Sequence, residues 1–293
     1  MKKFVFVAAS ALVASAAFAG PFGAAGDYNV FVGENFNSSN SDTEGRLGAG
    51  GSVTLNNYDV GLGNPGGPVL SAGTDLIFNN GTVRGDAYYG SSYSANNLSY
   101  ANGGAPMLGS PIDANGAYQS LVSLSAYMSG LQANGSTSKP YSTILLQGSD
   151  SDLNIFDLDA NMLGGASDIN IIIPDGASAV VNVSGSSVNL PNFGYNINGS
   201  QDPEKFRKVI WHLKDAQTVS MSSLNGTFFA PNAAVQGSYG AVNGQFFAKS
   251  FDGHTQFNWQ SYNGTEAVPE PASMIGLIAG IGALAAFRRK KKA

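Results

Sequence analysis

Short apolar alternations recur along the chain, separated by clusters of Gly, Asn and Ser. Val53-Thr-Leu55, Leu76-Ile-Phe78, Val181-Asn-Val183 and Val188-Asn-Leu190 place an apolar side chain at every second position, the period of a strand that buries one face. The intervening Gly and Asn tolerate positive φ and turn the chain. Two stretches echo each other. Ser52–Asn57 returns as Asp75–Asn80 at an offset of 23, with Val60 falling on Val83 and Gly50 on Gly73; Asn225–Ala230 returns as Asn243–Ala248 at an offset of 18. Periods near 20 predict rungs of a solenoid, in which each turn buries its apolar side chains by stacking on its neighbours.

One segment has helical spacing instead. Asp113 follows Pro111 and can cap a helix from Ala114 to about Leu131, with Tyr118, Leu121, Val122, Met128 and Leu131 on one face. The polar face carries no lysine, so a membrane-surface role is disfavoured. The expected fold is therefore all-β: a β-helix with one long α-helix packed along its side, the alternative being a β-sandwich with similar hairpins. In Phe228-Phe229 and Phe246-Phe247, consecutive strand residues point to opposite faces. One of each pair should fill the lumen and the other should pack under an element such as the helix.

The two ends read as signals. Residues 1–19 have the Lys2-Lys3 start, the apolar run Phe4–Phe18 and the small-x-small site Ala17-Phe18-Ala19 of a secretory signal peptide, with cleavage expected between Ala19 and Gly20. Residues 20–264 form the β domain, and 265–293 a linker and tail. The tail sets Pro269-Glu270-Pro271 before an uncharged run, 272–287, and closes with Arg288, Arg289, Lys290, Lys291 and Lys292. The run is close to membrane-spanning length, and the cations hold its end in the cytoplasm. These three parts in this order resemble the PEP-CTERM sorting signal read by exosortases. The resemblance implies exosortase as a processing partner, a transient inner-membrane stage through a transmembrane 272–287, and a destination at the cell surface or in the extracellular matrix.

Composition narrows the function. The 293 residues include 38 Gly, and only 12% are charged, while 43% hydrophobic and 11% aromatic content argues against disorder. Of 15 basic residues, seven lie in the two signals, leaving eight against 20 acidic ones. The exported part is thus about 12 units negative, which opposes nucleic acid and anionic lipid surfaces. Cysteine is absent, so neither thiolate chemistry nor disulfides are available.

Candidate chemistry is sparse. His212 and His254 have no second His or carboxylate at ligand spacing, and His212 beside Trp211 reads as a packed rung residue. No Gly-x-Ser-x-Gly occurs, and the loop Gly48-Ala-Gly-Gly51 lacks the Lys-Ser/Thr of a phosphate cradle. Asp150, Asp152, Asp157 and Asp159 are interleaved with Asn154 and Asn161. Alternate residues of a strand share a face, so Asp150, Asp152 and Asn154 could present oxygens together to calcium; otherwise these acids form the solvated face of strands whose other face carries Leu153, Ile155 and Phe156. No catalytic residue, cofactor or metal ligand is assigned.

Asp27-Tyr-Asn-Val-Phe-Val32, Glu44-Gly-Arg-Leu-Gly-Ala-Gly-Gly51, Ile171-Ile-Ile-Pro-Asp-Gly176 and Gly226-Thr-Phe-Phe-Ala-Pro-Asn-Ala233 leading to Asn243-Gly244 resemble the choice-of-anchor A domain. Trp211-His212-Leu213 stands where that family usually has Trp-Asn-Phe. The resemblance implies an adhesive domain displayed by different anchoring signals, and a distant similarity to ice-binding solenoids. The expected function is a non-catalytic exported surface or matrix protein, an adhesin or structural component, with extracellular polysaccharide as a possible partner. The alternatives are a polysaccharide-active β-helix enzyme and an ice- or crystal-binding protein.

Overall fold

Stacking is what the repeated alternation requires, and the chain stacks. The computed structural model describes residues 20–63 and 66–264, and within them the strands form a parallel β-solenoid rather than a sandwich. Both sequence echoes are rung-to-rung contacts. Val53 pairs with Leu76 and Val60 with Val83; Phe228 pairs with Phe246 and Ala230 with Ala248. The expected signal peptide with Ala19, Pro269-Glu270-Pro271 and the segment 272–287 lie outside the described residues.

A rung has three faces. In the first rung Val30–Val32 lies on face I, 36–39 on face II and 41–43 on face III. The corner between faces II and III is made by Asn40, and on the next rungs by Asn57, Asn80 and Asn97, all in the left-handed region (φ 54°, 50°, 55° and 50°). Asn is among the few side chains that enter this region readily. The column also stitches itself: Asn57 Nδ2 donates to Asn40 Oδ1, and Asn97 Nδ2 to Asn80 Oδ1, each at 3.0 Å. At the corner between faces I and II, a side chain on Gly50, Gly73 or Gly90 would strike the carbonyl oxygen of the glycine one rung back. That close approach is why glycine recurs there.

Chain order and spatial order differ. Along face I the ladder runs Leu153–Asp159, Ser178–Ser184, Val209–Leu213, 227–230, 246–248, Val30–Val32, Leu47–Ala49, Pro68–Ala72, Asp86–Tyr89 and Pro106–Leu108. The solenoid therefore advances in one direction, with the two ends of the domain meeting in its middle. Two buried side chains close that seam. Asn29 Nδ2 donates to the carbonyl of Gly244 (2.8 Å), and its Oδ1 accepts from the N–H of Gly45. Gln245 Nε2 donates to the carbonyls of Gly26 and Tyr28 (2.8 and 3.0 Å). Ten strands at about 4.8 Å spacing make the ladder roughly 43 Å long. A second sheet, Ser136–Ser138, Thr143–Gln147, Asp168–Ile172 and Gly194–Ile197, supplies face III at the far end, where its first pairing is antiparallel.

Helix α1 (Ala114–Ser129) lies where the chain must return from one end of the solenoid to the other. Asp113 caps it, its side chain accepting from the N–H of Gly116. The helix ends before Leu131, which is half-buried beyond it. The buried stripe is Ala117, Leu121, Leu124, Ser125 and Met128; Leu124 replaces Val122 in the expected face, because Ala117, Leu121, Leu124 and Met128 follow the four-three-four spacing of one helical stripe, and the stripe lies over the strand residues beneath. Those residues are Phe31, Val180, Ile210, Phe229 and Phe247. Phe228 and Phe246 instead stack face to face in the lumen (centroids 4.6 Å apart). Each Phe pair divides between the two cores as its alternation demands.

Candidate binding face

Face II is a long side of the solenoid that α1 leaves uncovered. Its strands bury every second residue, as in Ser187–Leu190 and Thr218–Met221, where exposed and buried positions alternate. In register across eight rungs, the outward column reads Asn189, Ser220, Gln236, Asp252, Asn37, Thr54, Ile77 and Ser94. A neighbouring column contains Ser39, Asn56, Asn79 and Asn96. The residues are short, mostly polar and almost uncharged; Asp252 is the one carboxylate in the first column.

Local hydrogen bonds fix several of them. Ser220 Oγ donates to Asn189 Oδ1 (2.9 Å), Asn37 Nδ2 donates to Asp252 Oδ2 (3.4 Å), and Ser222 and Ser238 hydroxyls meet at 2.8 Å. His254 sits between Ser39, whose backbone carbonyl accepts from its Nδ1 at 3.0 Å, and the ring of Tyr239, stacked at 4.9 Å. Rows of donors and acceptors about 4.8 Å apart suit a ligand offering many hydroxyls.

One group with the order of a catalytic triad lies elsewhere and is closed off. Ser125 Oγ lies 2.8 Å from His212 Nε2, and His212 Nδ1 lies 2.7 Å from Asn182 Oδ1. Asn182 Oδ1 only accepts, so Nδ1 carries the proton and Nε2 accepts from Ser125. The order nucleophile, base, orienter matches a hydrolase triad, yet all three side chains are buried between α1 and face I, and no substrate reaches them. Burial, with a smaller contribution from Lys214, pushes the His212 pKa down to about 3. The ring is neutral and joins helix to solenoid.

The acidic stretch also resolves into local structure. Asp150 Oδ1 accepts from the N–H groups of Asp152 and Leu153 (2.8 and 3.1 Å), and these bonds hold its carboxyl below the usual range. Asp159 accepts from the N–H of Asn161 and starts a short 3-10 turn. Asn154 does not share the face of these acids: it points inward with Phe156 and Leu158, fully buried, and bonds the backbone of Asp150. The calcium arrangement is not assembled; among the described residues no three His, Cys, Asp or Glu converge on a metal position.

Helix α1 covers face I of this parallel β-solenoid, and face II presents polar side chains outward. The chain belongs to the family described as putative ice-binding-like adhesive domain, whose profile matches residues 21–259. Residues 267–291 match the PEP-CTERM protein-sorting motif. No curated protein matches the chain. Among solved structures, an ice-binding protein from the Antarctic ascomycete Antarctomyces psychrotrophicus is 12% identical, with 83% of this chain and 98% of that one covered and a TM-score of 0.42. Among the described residues no helix is long and apolar enough to cross a membrane.

Face II itself was not picked out by sequence reading, although a signal was present. Asn56-Asn57, Asn79-Asn80 and Asn96-Asn97 recur at offsets of 23 and 17, and they mark both the corner and the edge of the open face.

Proposed function

We propose that the protein is a non-catalytic adhesive component of the cell surface or extracellular matrix, exported by its N-terminal signal, routed by exosortase and attached through face II to hydroxyl-rich polymer. The observation that carries this reading is the eight-rung ladder of mostly short, nearly uncharged side chains, polar at every rung but Ile77, on a long side that the helix leaves open. Asn, Ser, Thr and Gln donate and accept without the desolvation cost of charge, which fits glycan hydroxyls. The PEP-CTERM match supports exosortase processing after an inner-membrane stage held by 272–287.

Two other readings have less support. A polysaccharide-active enzyme needs acids or bases that converge at an accessible cleft, and the Ser125–His212–Asn182 group, which has the order of a triad, is buried. A lattice binder is favoured by one repeated side chain, whereas the outward column changes residue at almost every rung and contains a single Thr.

The routing is tested by fractionating cells with and without exosortase and weighing the mature C-terminus. Mature protein starting at Gly20, trimmed near Pro269-Glu270-Pro271 and found outside the inner membrane, is expected in the first case. Retention of the basic terminus in the inner membrane is expected in the second. Identical products in both strains would contradict exosortase routing.

A further inference from the structure

The corner between faces III and I lies opposite face II, and there the last strand of the domain meets the second rung. Glu44 Oε2 accepts the backbone N–H of Trp259 at 2.8 Å. A side chain on Gly45 would overlap the Trp259 indole, at 2.7 Å from its ring, and the Cβ of Asn29. Arg207 grips the following turn, donating from Nε to the Ser261 carbonyl (2.9 Å) and from Nη2 to Ser261 Oγ (3.1 Å). Held in this way, Trp259 and Ser261 form one side of an open pocket of about 430 Å³, and Asp27 and Arg46 complete it together with three glycines. The size falls within the ~300–1,000 Å³ of small-ligand clefts. Among the described residues the ion pairs are Arg207–Glu204 and Lys249–Glu34, so the Arg46 guanidinium is not committed to a carboxylate.

We propose that this seam pocket is a second binding site and takes a neutral sugar ring. An indole offers an apolar face on which the C–H side of a sugar can lie. Arg46 presents a planar fork of donors that spans two adjacent hydroxyls, Asp27 accepts from hydroxyls, and Ser261 does either. One cation and one anion make the lining neutral in sum, which suits a polar uncharged ligand. The acidic excess of the exported chain repels uronates at long range. The site is distinct from face II, and neither depends on the other. Glu44-Gly45-Arg46, which the sequence shows only as a motif, acquires three roles here: one residue anchors the tryptophan, one makes room for it, and one faces the ligand.

The purified full-length protein is titrated with laminarihexaose, cellohexaose, chitohexaose and mannohexaose, and with hexagalacturonate as the acidic comparison. Binding is followed by calorimetry and by tryptophan emission, with Trp211 buried and Trp259 in the pocket. At least one neutral hexasaccharide is expected to bind and to shift the emission. Arg46→Ala and Asp27→Asn should each weaken it tenfold or more at an unchanged melting temperature, Arg46→Lys should fall between, and Gln119→Ala on the exposed side of α1 should change nothing. Trp259→Phe, which keeps a ring, tests stacking if Trp259→Ala does not fold. No binding by any neutral hexasaccharide, binding indifferent to Arg46→Ala and Asp27→Asn, or tighter binding of hexagalacturonate would each overturn the proposal.

Discussion

Faces I and II are built from the same rungs, and often from the same strands, yet they treat their outward residues in opposite ways. Val209–Leu213 on face I is buried at every position, while Thr218–Met221 on face II alternates. Thr227–Gly237 and Phe246–Gly253 pass from one face to the other, and along them the outward residue changes from Phe229 or Phe247 to Gln236 or Asp252. The difference is a covering element. Under α1 an outward apolar side chain enters a second core; without it the same position must be polar. The lumen is common to both faces, so it distinguishes nothing. Function is separated by what lies outside the sheet.

The comparison is broken most strongly beneath the helix. Phe229→Ala or Phe247→Ala removes a fully buried ring packed against α1 and should cost about 3–5 kcal/mol, measured by denaturant unfolding. A smaller, pH-dependent loss comes from His212. Its folded pKa is depressed to about 3 against about 6.5 unfolded. The unfolded chain therefore binds the extra proton first, and stability is fully present above pH 6.5 and falls as pH drops toward 3. The loss approaches about 1.4 kcal/mol per pH unit, or roughly 2 kcal/mol at pH 5. Melting curves from pH 7 to 4 should show this, and His212→Phe should flatten the slope; a slope unchanged in that variant would remove His212 as the helix clamp.

Asp113→Ala deletes the helix cap and should cost about 1 kcal/mol, again by unfolding, with face II left intact. At the small end, Gln236→Ala and Asn56→Ala on the open face should stay within about 0.5 kcal/mol of wild type. Stability changes of several kcal/mol at these exposed positions would show that face II is held by something beyond its own strands.

Local features of the fold were legible because they depend on near neighbours. The Asp113 cap, the echoes that bring Val53 over Leu76, and the division of Phe228 from Phe229 follow from capping, spacing and alternation alone. The seam was not legible. Phe36 stacks on Phe251 at 5.0 Å, and Asn29 bonds Gly244, across more than 200 residues with no shared motif to announce either contact. Asn154 was misplaced because alternation was extended outward from Asp150, which sits in a turn and not in the strand. The open face escaped notice for a related reason: polar alternation says which residues face outward, and only the position of α1 says which outward side is covered.

The central claim is that adhesion belongs to face II. Its most direct test is a quartz-crystal microbalance measurement of the purified protein on extracellular polysaccharide from the producing cells, comparing wild type with the triple variant Asn37→Glu, Thr54→Glu, Gln236→Glu. These three substitutions place like charges near Asp252 along one column without touching either core. The account predicts that the variant melts close to wild type and that its adhesion falls tenfold or more. Wild-type adhesion by the folded variant would contradict it.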